Sequence, residues 1–78
     1  MIIRYFEVEN EDDIYGKGKV CETKNTKIVP RKGEKVYIGD DYYWINDVCY
    51  IIDYKNTDSN NIKLVAIDVF VIKTELKN

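Results

Sequence analysis

Histidine is absent from this chain and serine occurs once, as Ser59. Without an imidazole there is no Ser-His-Asp triad, no Cys-His dyad and no His-ligated metal. Ser59 falls in the polar stretch Asn56 to Asn61, which reads as a loop tip and a poor place to hold a rigid nucleophile. Carboxylate, lysine and tyrosine remain for acid-base work, mostly as isolated surface-type residues, so a protein that is not an enzyme and uses no cofactor is expected. Cys21 and Cys49 are the two cysteines, far apart and without a C-x-x-C pairing. They read as small buried hydrophobes in a reducing compartment, with a disulfide left open because geometry decides it.

Long apolar runs are missing too. The greasiest stretch, Ile62 to Ile72, is short and contains Lys63 and Asp68, so no membrane span is expected. The first thirteen residues hold neither a basic leader nor a small-residue cleavage site, which sets the expectation of a cytoplasmic protein. A positive excess is also lacking: the formal net charge is -2, which argues against extended nucleic acid as a partner. The 78 residues make one domain, 1–78. A domain this small hides a modest fraction of its surface, and association into a homo-oligomer would widen its stability margin.

What is present is β patterning. In the run Tyr42 to Ile52 the apolar residues occupy odd positions before Asn46-Asp47 (Tyr43, Ile45) and even positions after it (Val48, Tyr50, Ile52). Side chains alternate between the faces of a strand, so a one-residue phase shift predicts a bulge or sharp bend. The bent strand is expected to run from Tyr42 to Tyr54. The pattern elsewhere predicts strands over Ile2 to Val8, Glu34 to Ile38 and Ile62 to Thr74, with Lys19 to Thr23 and Thr26 to Val29 as two short strands or one interrupted at Lys24-Asn25. Turns are expected at Arg31-Lys32-Gly33 and Gly39-Asp40-Asp41, and loops at the acidic Glu7 to Asp13 and the polar Lys55 to Asn61. The last strand is apolar on both faces and is expected to be buried on both sides or to cover a second molecule. Five to six short antiparallel strands closing into a small, curved all-β barrel are the expected fold.

Pro30-x-x-Gly33-Glu34-x-Val36-x-Ile38, followed by a hairpin and Tyr43-x-Ile45-x-x-Val48-x-Tyr50, resembles the pattern of small SH3-like β-barrel proteins. It is also similar to short accessory proteins of phages and prophages of Gram-positive bacteria. The resemblance spans Val29 to Asp53, about a third of the chain, with glutamate at position 34 where aspartate is more usual. The Tyr42-Tyr43-Trp44 cluster is heavier in aromatics than the pattern requires. The resemblance implies a barrel and a mobile-element origin, and it brings no catalytic residues.

Candidate functional residues are of two kinds. Seven tyrosines and one tryptophan stand against two phenylalanines, and such rings combine a flat stacking face with a polar tip. Sheets favour aromatics in any case, so the informative question is whether Tyr42 and Trp44 or Tyr43 and Ile45 face outward. A basic run from Lys17 to Lys35 places Lys17, Lys19, Lys24, Lys27, Arg31, Lys32 and Lys35 against only Glu22 and Glu34, enough local charge to meet a phosphate. Within it, Gly16-Lys17-Gly18-Lys19 has the glycines of an anion cradle but fails the Walker pattern, because Val20 follows the lysine and no helix is expected next. Arg4 and Asp68 lie within apolar strand faces and are expected to pair with each other.

These observations lead to an expected function: a phage-type accessory protein that blunts host defence by sequestering a small nucleotide signal. Tyr15, Tyr42 and Trp44 would stack the base, and Lys17, Lys19, Arg31 and Lys32 would engage phosphate. Two alternatives remain open, a module that binds and inhibits or adapts a host protein, and a small nucleotide-processing enzyme using carboxylates such as Asp53 or Asp68.

Overall fold

The computed structural model describes residues 2–13, 16–24, 28–53 and 63–74. Five strands are present: β1 Ile2–Glu7, β2 Gly18–Lys24, β3 Lys35–Ile38, β4 Asp41–Asp53 and β5 Lys63–Thr74. They form one sheet in the order β2-β1-β5-β4-β3. The sheet curls into a half-barrel, an all-β architecture consistent with a small SH3-like β-barrel. No helix occurs among the described residues, so none is long and apolar enough to cross a membrane.

Alternation explains which side of each strand is buried. Ile3 and Tyr5 of β1, Tyr43 and Ile45 of β4, and Ile67, Val69 and Val71 of β5 form one core cluster. Cys21, Val29, Val36, Ile38 and Val48 pack around its margin. Fully burying an isoleucine or valine side chain contributes about 1.5–3 kcal/mol, so the central strand β5, with three such residues, carries the largest share.

The phase shift in β4 is a bulge, as the patterning predicts. Ile45 lies opposite Val71 and Asp47 opposite Phe70, which leaves Asn46 as the extra residue. Alternation then resumes with Val48 opposite Val69, turned back to the core. Two further slips bend the sheet, at Val20 of β2 opposite the Tyr5/Phe6 step and at Val65 of β5 opposite the Ile51/Ile52 step.

Three expectations are corrected. The β1 and β5 strands run parallel, with Ile2 beside Ala66 and Glu7 beside Val71, where antiparallel pairing is expected throughout. Alternation reveals a strand but not which distant strand it joins. The reading of Thr26 to Val29 as a strand is not met at its described end, since Ile28 and Val29 have irregular backbone; Pro30 beside them removes a donor. Finally, of the two alternatives for β5 the first, burial on both sides, is not met: its outer face is only partly covered, with Phe70 and Ile72 half-buried.

The acidic loop is ordered by its own side chains. The Asp13 carboxylate accepts from the Glu9 amide (3.0 Å) and the Gly16 amide (3.0 Å), and Asn10 Oδ1 accepts from the Asp12 amide (2.9 Å). The Lys17 amide then donates to the Glu7 carbonyl (2.8 Å), which presses Gly16 against the end of β1. A Cβ on Gly16 would collide with the Glu7 carbonyl oxygen and reach 2.6 Å from Val8 Cα, and its φ is +48°. Gly39 has φ +61° but open space around it.

Gly16→Ala is therefore expected to destabilise the protein by about 2–3 kcal/mol, and Gly39→Ala by about 1 kcal/mol, from backbone conformation alone. Urea titrations of the two variants against the parent measure the difference; equal losses would refute the close approach. Burial raises the Cys21 thiol above its ordinary 9.0 and the Tyr5 and Tyr43 phenols above 10.0. Above about pH 9 the unfolded chain thus releases protons that the folded chain retains, so this contribution is fully present at neutrality and is lost as pH rises through the folded values. Urea midpoints are expected to stay level up to pH 9 and then fall, the decline starting later in Cys21→Ala.

Candidate functional site

Because Tyr43 and Ile45 are taken by the core, Tyr42 and Trp44 must turn to the outer face. Trp44 is 41% exposed and lies opposite Ile72 of β5 on one side and Lys35 of β3 on the other. Tyr42 is half-buried and packs edge-on against Tyr37 of β3, their ring centroids 4.8 Å apart at 71°. Tyr37 is itself 55% exposed. Two strands thus present three rings, and the short β3 leaves them uncovered.

Cations gather at the tryptophan. The Lys35 ammonium sits 4.7 Å from the centre of the Trp44 ring. Lys32 joins the same place through the turn before β3, which is fastened to β4 by bonds from the Gly33 amide to the Ile45 carbonyl and from the Ile45 amide to the Glu34 carbonyl, both 2.8 Å. Lys32, Gly33, Trp44, Ile45, Asn46, Ile72 and Glu11 line a groove of about 290 Å³. The bulge matters here, because Asn46 is the residue displaced into the groove wall. The groove thus carries one carboxylate, Glu11, together with the Lys32 ammonium.

The other expected site residues are dispersed. Lys17 and Lys19 belong to the far edge of the sheet, since β1 and β5 stand between β2 and β4, a separation of roughly 14 Å at one strand spacing each. Both are engaged: Lys17 Nζ lies 3.2 Å from Glu9 and 3.6 Å from Glu7, and Lys19 Nζ lies 2.6 Å from Glu22. The bond to Glu9 holds the Lys17 ammonium above its usual range, and the bond from Lys19 holds Glu22 below the usual carboxylate range. The six described cations of the basic run therefore do not form one patch, and Lys27 lies outside the described residues. Arg31 lines a separate cleft with Ile28, Val29, Pro30, Glu34 and Tyr50. Tyr15 lies outside the described residues.

Arg4 and Asp68 pair as the sequence predicts, adjacent in the β1–β5 register. Arg4 Nε donates to Asp68 Oδ1 at 2.6 Å and Nη2 to Oδ2 at 2.9 Å. The bond to Asp68 raises the Arg4 pKa further. Each Asp68 oxygen thus accepts one bond from the guanidinium, which joins β1 to β5 across the outer face. Arg4 also lies over Phe6 at 5.8 Å, and Phe6 stacks on Phe70 at 5.8 Å, so the centre of the outer face is closed by its own contacts. The side chain of Asp53 is outside what the structure describes.

Sequence reasoning placed Lys35 in the basic run but not in the site, and it did not single out Ile72, Gly33 or Glu11. The signal for Lys35 was available: a hairpin turning at Gly39-Asp40 puts position 35 opposite position 44. Ile72 and Glu11 had no comparable local signal, because they reach the groove through long-range pairing. Among the described residues no three His, Cys, Asp or Glu side chains converge as metal ligands. No protein-family model, curated protein or solved structure matches this chain.

Proposed function

We propose that the protein is a non-catalytic binder of a small nucleotide-type anion at the Trp44 groove, and that its role is to sequester that ligand. The observation that carries the reading is an exposed tryptophan flanked by Lys32 and Lys35 on a rigid hairpin. A base stacks on the indole face and displaces the Lys35 ammonium, a cation–π contact worth about 0.5–1 kcal/mol at an exposed site. The freed charge then meets phosphate together with Lys32, so part of the displacement cost is recovered. Tyr42 and Tyr37 extend the ring surface beside it. The resemblance to phage and prophage accessory proteins supplies the setting, a host cytoplasm in which a nucleotide signal is withdrawn from a defence pathway.

A second reading has its own support. Tyr37, Tyr42 and Trp44 form a ring cluster of the composition found at protein-binding hot spots, and the acidic loop could steer a basic partner. On that reading the outer face inhibits or adapts a host protein.

Trp44 is the single tryptophan, so its fluorescence reports binding directly. Titration with nucleotides and cyclic oligonucleotides is expected to quench it saturably. Trp44→Ala, followed by calorimetry, should weaken binding by about 1–3 kcal/mol, or roughly 5- to 150-fold. Lys32→Ala and Lys35→Ala should weaken phosphate-bearing ligands but not the bare nucleoside, and Lys19→Ala should change nothing. Absence of quenching up to millimolar nucleotide, together with recovery of a host protein that Trp44→Ala no longer holds, would replace the first reading with the second.

A further inference from the structure

A sheet edge with unpaired backbone groups is a template for another strand, and proteins normally guard such edges with charges, short strands or bulges. Two of the edges here are guarded. Along β2 run Lys19, Glu22 and Lys24, with a bulge at Val20 and an ion pair between Lys19 and Glu22. Four residues make up β3, and Lys35 begins it.

The third edge is different. Pairing with β3 ends where Lys35 meets Trp44, and the last backbone bonds on that side of β4 join Ile45 to Gly33 and Glu34. Beyond Ile45, no described residue offers a backbone partner on that side. The segment left open, Val48-Cys49-Tyr50-Ile51-Ile52, contains no charge. The Ile45 backbone is directed away from β5, to Gly33 and Glu34, and across the bulge at Asn46 strand alternation gives that orientation to Val48, Tyr50 and Ile52. The Val48 amide donates to the neighbouring Asp47 carboxylate (2.9 Å). The side chains agree. Tyr50 is 56% exposed and Ile52 43%, although both continue the core-facing side of β4. Leu64, opposite Ile52, is 37% exposed, and Ile28, which shares a cleft with Tyr50, is 78% exposed.

We infer that this edge is the dimer interface, with the open part of β4 pairing antiparallel with the same segment of a second copy about a two-fold axis normal to the sheet. Such pairing is self-complementary and closed, so neither copy keeps the edge open. Faces are preserved by this axis, so Tyr50 and Ile52 of one copy meet Ile52 and Tyr50 of the other, an aromatic against a β-branched residue twice over. The alternative register centred on Tyr50 sets Asp47 opposite Asp53 and is opposed by like charge. Tyr50, Ile52, Leu64 and Ile28 present roughly a few hundred Å² of surface, as large as the biggest apolar patch a monomer ordinarily exposes, with Arg31 and Glu34 beside Tyr50 and Ile28 at its rim. Backbone bonds along the joined edge add to that area. The inference does not rest on the Trp44 proposal, because Trp44 and Tyr50 lie on opposite faces of the sheet.

Sedimentation velocity of the full chain over a concentration series tests it. The parent is expected to be dimeric at micromolar concentration. Tyr50→Lys/Ile52→Lys should raise the dissociation constant by at least about 100-fold, with an unchanged circular dichroism spectrum. A parent that stays monomeric at high micromolar concentration overturns the inference, as does a folded double variant that still dimerises. Should the variant lose its strand signal, hydrogen exchange on the parent decides: the amides of Tyr50 and Ile52 must become more protected as concentration rises, and exchange independent of concentration overturns the interface.

Discussion

A strand can turn only every second residue toward a core, and β4 must serve the core on both sides of its bend, from Tyr43 to Val48. The extra residue at Asn46 reconciles these demands. It lets Tyr43 and Ile45 occupy the inner face before the bend and returns Val48 to that face after it. Because β4 lies between β5 and β3, the same residue sets the angle of the hairpin that carries Trp44. Core packing and groove shape are therefore one geometric fact seen from the two sides of the sheet.

The outer face follows from the inner one. Once alternation assigns Tyr43 and Ile45 to the interior, Tyr42 and Trp44 have nowhere else to point. At the middle of that face the bidentate Arg4–Asp68 pair and the Phe6–Phe70 stack satisfy one another. A carboxylate held by a guanidinium through two bonds has its charge matched within the sheet. At the β3 end the rings also pack on one another and on Lys35, but Tyr37 stays 55% and Trp44 41% exposed. The contrast between a closed centre and an open end places the candidate site without appeal to any homologue.

Charge tells the same story in a different way. Read along the chain, Lys17 to Lys35 is a basic run. Folding divides it between the two outer strands of the sheet and gives Lys17 and Lys19 carboxylate neighbours in Glu7, Glu9 and Glu22. Lys35 arrives over the Trp44 ring, Lys32 in the same groove, and Arg31 in a separate cleft with Tyr50. A linear charge count cannot separate these cases, because an ion pair depends on strand register and not on distance in sequence.

Much of the fold was legible beforehand, for identifiable reasons. The bulge at Asn46, the turns at Gly33 and Gly39 and the Arg4–Asp68 pairing each left a mark in local pattern: a phase shift, a turn residue, a charge on an apolar face. The parallel placement of β1 beside β5, the entry of Glu11 and Ile72 into the groove and the edge beyond Ile45 that no described residue pairs left none. Alternation and turn chemistry are properties of neighbouring residues, and the amino-acid sequence by itself determined strands, bends and which face of each strand is apolar. Which strands meet, and therefore which lysines reach the tryptophan and which edge stays unpaired, is decided only when distant segments compete for the same hydrogen-bonding groups.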